Sequence, residues 1–461
     1  MKTFSINTLG CKVNQYESQQ VRELLERLGL RKSEPFEKPD LVVLNTCCVT
    51  HTASSKSRQY VSRIQKLTPD AALVVCGCLP TVQIGESTPA TKNIHFVKNR
   101  SALAEILSHI INGKDCTLDC QSCPNNPIKP ENDHKIKHKN ELCHYTNLPS
   151  LSSFDGHTRA FLKVQDGCDG YCSYCIVPKT RPFVHSRAEN EILTEAQALV
   201  RAGHKEIVIT GINLGAYGQK SVRRKKWPNQ QNVKLANLLD KIAQIPNLAR
   251  IRLSSLEPTD VTPQLLDILC KYHNIMPHLH LSLQSGSDSV LKRMCRQYTT
   301  EQIREKVDMI KSRLDRPAIT ADIIVGFPGE TDADFEQTVN LARNTGFAKM
   351  HIFRFSPRKG TAAANMQCAV SNNVIKKRSQ ILHDLNIELG REFRRQFLGK
   401  SANILIESYN GKLSGRCERY FMVNIENSGI SNLKLKVRKN DLVKVRLVEN
   451  KQTGMIGRIV S

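Results

Sequence analysis

Apolar positions in this chain keep two rhythms. Solid short runs, such as LVVLN at Leu41–Asn45 and AALVV at Ala71–Val75, read as buried strands. Between them, apolar residues recur every three or four positions, as at Val21, Leu24, Leu25 and Leu28, and predict helices over Asn14–Leu28 and Ala53–Leu67. With a short strand at Lys2–Asn7, residues 1–113 form an α/β domain of Rossmann or flavodoxin type, its strands parallel. Residues 154–385 alternate strand and helix again. Their strands are Arg159–Gln165, Glu206–Thr210, Arg250–Ser254, His278–Leu283, Ile319–Val325 and Met350–Phe355, the pattern of a six-unit partial TIM barrel. A helix over Asn372–Phe397 leads into a third region. There the segments ILIES, RYFMVNIE, LKLKVR, DLVKVRLVE and MIGRIVS predict a small OB-like β-barrel within 386–461. Residues 114–153 lack either period and read as a linker or insertion.

Charge narrows the class of partner. The chain carries 67 Lys and Arg against 43 Asp and Glu, a net +24, which favours a polyanion and nucleic acid over a membrane surface. Residues 390–461 hold fifteen Lys/Arg and six Asp/Glu, so under a sixth of the chain carries nine of the net charges. No run of eighteen apolar residues occurs, and the start MKTFSINTLG has no long apolar core of a signal peptide. A cytoplasmic protein is expected, its sixteen cysteines reduced or bound to metal rather than paired.

Those cysteines carry the chemistry. Cys168, Cys172 and Cys175 stand at C-x3-C-x2-C spacing just after the first barrel strand, where a barrel of this kind holds its active site. Three thiolates suit a [4Fe–4S] cubane with one iron left open, whereas a structural Zn site wants four closed ligands. Gly167, Asp169, Gly170 and Ser173 around them make a loop rather than a packed helix face. Cys11, Cys47 and Cys78 each follow a strand of the N-terminal domain, so three successive strand ends deliver one thiol apiece to one sheet edge. Cys48 and Cys76 are their neighbours, but the Asn-Thr and Gly contexts favour Cys47 and Cys78 as ligands. In the linker, Cys116, Cys120 and Cys123 repeat the C-x3-C-x2-C spacing and Cys143 follows. That run has no barrel behind it. A Zn site or a solvated thiol-rich loop are the two readings, and no catalysis is assigned to it.

The run KVQDGCDGYCSYCIVPKTRP resembles the radical S-adenosylmethionine (SAM) superfamily. There SAM chelates the open iron and is cleaved to methionine and a 5′-deoxyadenosyl radical. TLGCKVNQYES, NTCCVTHTASSKSRQ and GCLP further resemble the methylthiotransferases, and KVN after Cys11 is similar to their branch acting on N6-threonylcarbamoyladenosine in tRNA. The resemblance implies two [4Fe–4S] clusters. One on Cys11, Cys47 and Cys78 presents the sulfur, and one on Cys168, Cys172 and Cys175 activates SAM. Thr210 and Gly211 would meet the amino group of SAM, and Ser255 and Glu257 its ribose side. Gln284, Ser285, Gly326 and Glu330 would shape the adenosine pocket, with Tyr174 beside the adenine. RMCRQYT, Arg293–Thr299, belongs to the resemblance without suggesting a physical role.

The last region is similar to a TRAM domain, an RNA-binding module, whose Lys434, Lys436, Arg438 and Lys439 would meet a tRNA anticodon arm. Arg223, Arg224, Lys225 and Lys226 beside Trp227 form a second candidate RNA contact on the barrel rim, by phosphate pairing and stacking. A reductant such as flavodoxin or ferredoxin, a sulfur donor that the sequence does not identify, and a monomer complete the expectation. The alternatives are the same chemistry on isopentenyladenosine or a ribosomal-protein aspartate, or an iron–sulfur RNA-binding sensor without catalysis.

Overall fold

The structure is a computed structural model of the chain. It describes residues 1–82, 93–113, 148–226, 232–409, 413–426 and 437–460. Cys116, Cys120, Cys123 and Cys143, together with Trp227, Lys434 and Lys436, lie outside the described residues, as does most of the LKLKVR segment. The chain divides into two compact units, Met1–Leu151 and Ser152–Ser461.

The first unit is a parallel sheet of β1 (Thr3–Thr8), β2 (Arg31–Lys32), β3 (Leu41–Thr46), β4 (Ala72–Gly77) and β5 (Ile94–Phe96) in the order β2-β1-β3-β4-β5. That is the flavodoxin-like order. β3 and β4 are buried along their whole length because helices cover both faces. Leu41, Val43 and Val74 pack with Val21, Leu25 and Leu107 on one side, and Val42, Leu44 and Leu73 pack with Val61 and Ile64 on the other. The helix His51–Leu67 starts where Thr50 accepts a hydrogen bond from the Ala53 amide.

The second unit opens with six parallel strand positions: β6 (Arg159–Asp166), β8 (Glu206–Gly211), β9 (Arg250–Leu253) running on into β10 (Ser255–Leu256), β11 (His278–Gln284), β12 (Ala318–Val325) and β13 (Lys349–Arg354). A short β7 (His185–Ser186) pairs antiparallel with β6. These match the six strands that the periodicity predicts. The chain then closes a small barrel from β14 (Ser401–Tyr409), β15 (Leu413–Arg416), β16 (Met422–Ile425), β17 (Leu442–Asn450) and β18 (Met455–Ile459). Apolar alternation does not reveal β15. Its Gly415 sits where a Cβ would be 1.9 Å from the Leu405 carbonyl oxygen, so close strand approach excludes the side chain that would mark it.

The small barrel packs under the starts of the parallel strands, opposite the cysteine mouth. Arg252 pairs with Glu206 at 2.8 Å and donates to the carbonyls of Cys417 (2.7 Å) and Glu418 (2.8 Å). Arg250 donates to the carbonyls of Asn403 and Arg416, and Arg159 to the Tyr420 hydroxyl. The His278 ring stacks on Tyr420 with centroids 4.6 Å apart. Arg252 and Glu206 are 1% and 0% exposed, so the carboxylate is the buried counter-charge for this seam. Removing one partner of a buried pair strands the other. Glu206→Ala should cost roughly 3–5 kcal/mol, read as a lower urea midpoint at an unchanged slope. A loss below about 1 kcal/mol, the scale of a surface pair, would contradict this role.

Candidate active site

The loop after β6 is built around Asp166. Its carboxylate accepts from the Gly167 amide (2.8 Å), from Arg181 through both oxygens (2.7 and 2.9 Å) and from Lys163 (3.0 Å). Gly167, at φ +75°, lies so close to Phe183 that a Cβ would sit 1.7 Å from its carbonyl oxygen. The Cys168 amide then donates to the Arg181 carbonyl (2.8 Å), and the Gly170 amide points at the Cys168 thiol (3.4 Å). Burial pushes the thiols of Cys168 and Cys175 up to about 12. Any metal taken up by these thiols at neutral pH would have to release their protons.

RMCRQYT has a clear place here. The Ser173 amide and hydroxyl donate to the carbonyls of Met294 and Arg293, clamping the cysteine loop from the far side of the barrel. Arg296 then reaches the Cys172 thiol (3.0 Å).

In the other unit, Cys11, Cys47 and Cys78 follow β1, β3 and β4. Gly10 (φ +116°) brings the first loop against the second: a Cβ there would be 2.7 Å from the Cys47 Cβ and 3.2 Å from its Sγ. Asn14 ties both loops by donating to the carbonyls of Leu9 (3.0 Å) and Thr46 (2.8 Å). The Cys78 amide donates to the Thr46 carbonyl (3.0 Å), and Arg100 approaches the Cys78 thiol at 3.5 Å. Cys48 is fully buried and Cys76 lies in the core of the sheet. Among the described residues, no three His, Cys, Asp or Glu side chains stand gathered as a metal cage.

The remaining candidates divide. Thr210 is buried at the end of β8, and a Cβ on Gly211 would sit 3.0 Å from the Gln165 side chain, which donates to the carbonyls of Asp166 and Gly167 and accepts from the amide of Asn213. Gln284 ends β11 in the left-handed region at φ 69°. Ser285 is buried beside Thr338. Tyr174 packs edge-on to Phe327, centroids 6.4 Å apart.

Glu330 accepts from the Gly326 amide (2.8 Å) and pairs with buried Arg378 (2.7 Å), so it braces the turn at Gly326. Arg224, read from sequence as a phosphate contact, is committed instead to Asp260 (2.5 Å) and Glu257 (3.3 Å) inside the barrel rim. Arg223 lies 3.9 Å over the Tyr171 ring and donates to the Asp169 carbonyl. Lys225, Lys226, Arg438 and Lys439 are exposed, although Lys439 also donates to the Gly156 carbonyl.

Residues 162–342 match the radical SAM superfamily, and residues 3–97 match the uncharacterized protein family UPF0004. The chain is 36% identical to the threonylcarbamoyladenosine tRNA methylthiotransferase MtaB of Chlamydia pneumoniae, over 99% of this chain and 98% of that protein. The chain belongs to the radical SAM methylthiotransferases. The Bacillus subtilis protein of the same name is 34% identical over 88% of this chain and 85% of its own length. The tRNA-2-methylthio-N(6)-dimethylallyladenosine synthase of Bacillus velezensis is 31% identical over 92% of this chain and 81% of that protein. Among solved structures, the radical SAM methyltransferase TsrM from Kitasatospora setae shares the fold, at TM-score 0.52 and 16% identity, covering 77% of this chain and 75% of that one.

A radical SAM methylthiotransferase uses SAM and [4Fe–4S] clusters, and the donor sets here suit them. Each trio is all-thiol, one on the loop after β6 and one on the three loops after β1, β3 and β4, and those loops are held by hydrogen bonds to their backbone. Arg296, Arg100 and Gln165 are the groups that sequence reasoning misses. RMCRQYT was the one available pointer to Arg296.

Proposed function

We propose that this enzyme methylthiolates C2 of N6-threonylcarbamoyladenosine beside a tRNA anticodon, using two SAM and two [4Fe–4S] clusters. Cys168, Cys172 and Cys175 would hold the cluster that cleaves SAM, and Cys11, Cys47 and Cys78 the one that carries sulfur. The observation that carries the substrate reading is the likeness, along nearly the full chain, to relatives named for threonylcarbamoyladenosine. When bound, the clusters and SAM supply radical chemistry at an unactivated carbon.

The chain's own residues position and exclude. Gln165 and Gly211 leave backbone close to the mouth, and the Asp166–Arg181 pair fixes the cysteine loop. In the barrel interior His280 stands 3.1 Å from Asp322 and 2.8 Å from Thr320, with His351 edge-on at 5.4 Å.

The exposed cations Lys225, Lys226, Arg438 and Lys439 would meet the phosphate backbone. So would the helix His51–Leu67, which has no acidic residue and lines one face with Arg58, Arg63 and Lys66. The small barrel and the cysteine mouth lie at opposite ends of the 8-residue β6, roughly 26 Å apart. An RNA touching both must reach along the barrel wall, which a stem-loop can do. A one-electron donor such as flavodoxin or ferredoxin would act on a monomer.

Nucleoside mass spectrometry of tRNA from a strain lacking the gene tests the substrate. The methylthio form of threonylcarbamoyladenosine should vanish while the unmodified form accumulates. Loss of methylthio-isopentenyladenosine instead would reject this substrate and leave the enzyme class intact.

A further inference from the structure

Arg296 comes from outside the cysteine loop and ends on it. The helix Asp288–Arg293 stops at Met294, and Cys295, at φ 56°, turns the chain so that the Arg296 amide closes back on the Leu291 carbonyl (2.9 Å). This throws the guanidinium under the cysteine loop with its side chain 6% exposed. Every edge of the fork is used. One terminal nitrogen donates to the Cys172 thiol (3.0 Å), the other to Glu257 (2.9 Å), and Nε to the Tyr298 hydroxyl (2.9 Å). Glu257 is shared with Arg224, and Arg224 with Asp260. Two cations and two carboxylates therefore run in a chain from the rim to one thiol of the trio.

We propose that Arg296 is a positioning residue that fixes Cys172 and, through its buried charge, makes the cluster on that trio easier to reduce, with Glu257 as the opposing counter-charge. A hydrogen bond from a cation to a ligand sulfur offsets the negative charge that a cluster gains when it accepts one electron, and net charge and such bonds set cluster potentials. A guanidinium held 3.0 Å from the thiol and tied by Glu257 and Tyr298 as well has little room to swing away on reduction. Because Glu257 bonds the same guanidinium, it cancels part of that field. The two residues should therefore move the potential in opposite directions, which a packing role for either would not do.

The proposal rests on the assignment of Cys168, Cys172 and Cys175 as ligands of the SAM-binding cluster. The test is a redox titration with dithionite, followed by electron paramagnetic resonance on reconstituted full-length protein. The signal that added SAM perturbs identifies the cluster. Arg296→Gln at wild-type iron content should lower the midpoint by a tenfold change in the reduction equilibrium or more, about 59 mV for one electron. Glu257→Gln should raise it, and Arg296→Lys, which keeps the charge without the fork, should recover part of the loss. If Arg296→Gln keeps the wild-type potential and only weakens SAM binding, the arginine is a SAM contact and the proposal fails. If that variant takes up no iron, Glu257→Gln decides, and an unchanged or lowered potential overturns the proposal. Absence of any SAM-responsive signal in the wild type would instead reject the ligand assignment beneath it.

Discussion

Cys172→Ala should abolish reductive SAM cleavage, with 5′-deoxyadenosine falling to the level of protein without iron. On the proposed assignment the local loop offers three thiols to a cubane whose fourth iron stays open for SAM, so losing one would leave two ligands in place of three. The substitution also removes the thiol that Arg296 faces at 3.0 Å, and so leaves a buried guanidinium short of one acceptor. The loop itself should survive. Its shape depends on Asp166, Arg181, Gly167 and the Ser173 clamp, none of which involves the Cys172 side chain. Circular dichroism should stay near wild type while activity drops at least a thousandfold. Retained 5′-deoxyadenosine formation would remove Cys172 from the site.

Cys47→Ala should have the reverse signature: SAM cleavage continues and methylthio product is lost. Cys47 belongs to the unit Met1–Leu151, whose sheet and helices form their own core, so the barrel keeps its trio untouched. The local fold tolerates the change, because Ser57 bonds the Cys47 carbonyl rather than its thiol, and the nearby Gly10 leaves no clash for a smaller side chain. On the proposed assignment sulfur delivery needs the strand-end thiols, and two of the three would not hold a cubane. Liquid chromatography of both products in one reaction separates the two activities. Methylthio product at normal yield from this variant would show that the strand-end cysteines serve another purpose.

Much of the fold was legible because parallel strands buried on both faces write themselves as apolar runs. β3, β4, β6 and β8 follow that rule, whereas β11 and β13 alternate or lie exposed, and cysteines stand out just after β3, β4 and β6. What escaped was what side chains do across long stretches of chain. Arg296 meets a thiol 124 residues away. Arg224 looks like part of a solvated basic run until the fold brings Glu257 and Asp260 to it, 33 and 36 residues on. Arg250 and Arg252, charges inside a barrel strand, form the buried seam that seats the small barrel. Local pattern reports burial well, but the partners that neutralise a charge are decided by topology.

The account turns on two cubanes in one chain, each held by three thiols. Iron and acid-labile sulfide, counted per chain on anaerobically reconstituted protein alongside Mössbauer spectra, test it most directly. The account predicts about eight irons and eight sulfides for the wild type, falling to about four in either Cys172→Ala or Cys47→Ala. A wild-type value of about four, unchanged by Cys47→Ala, would contradict it.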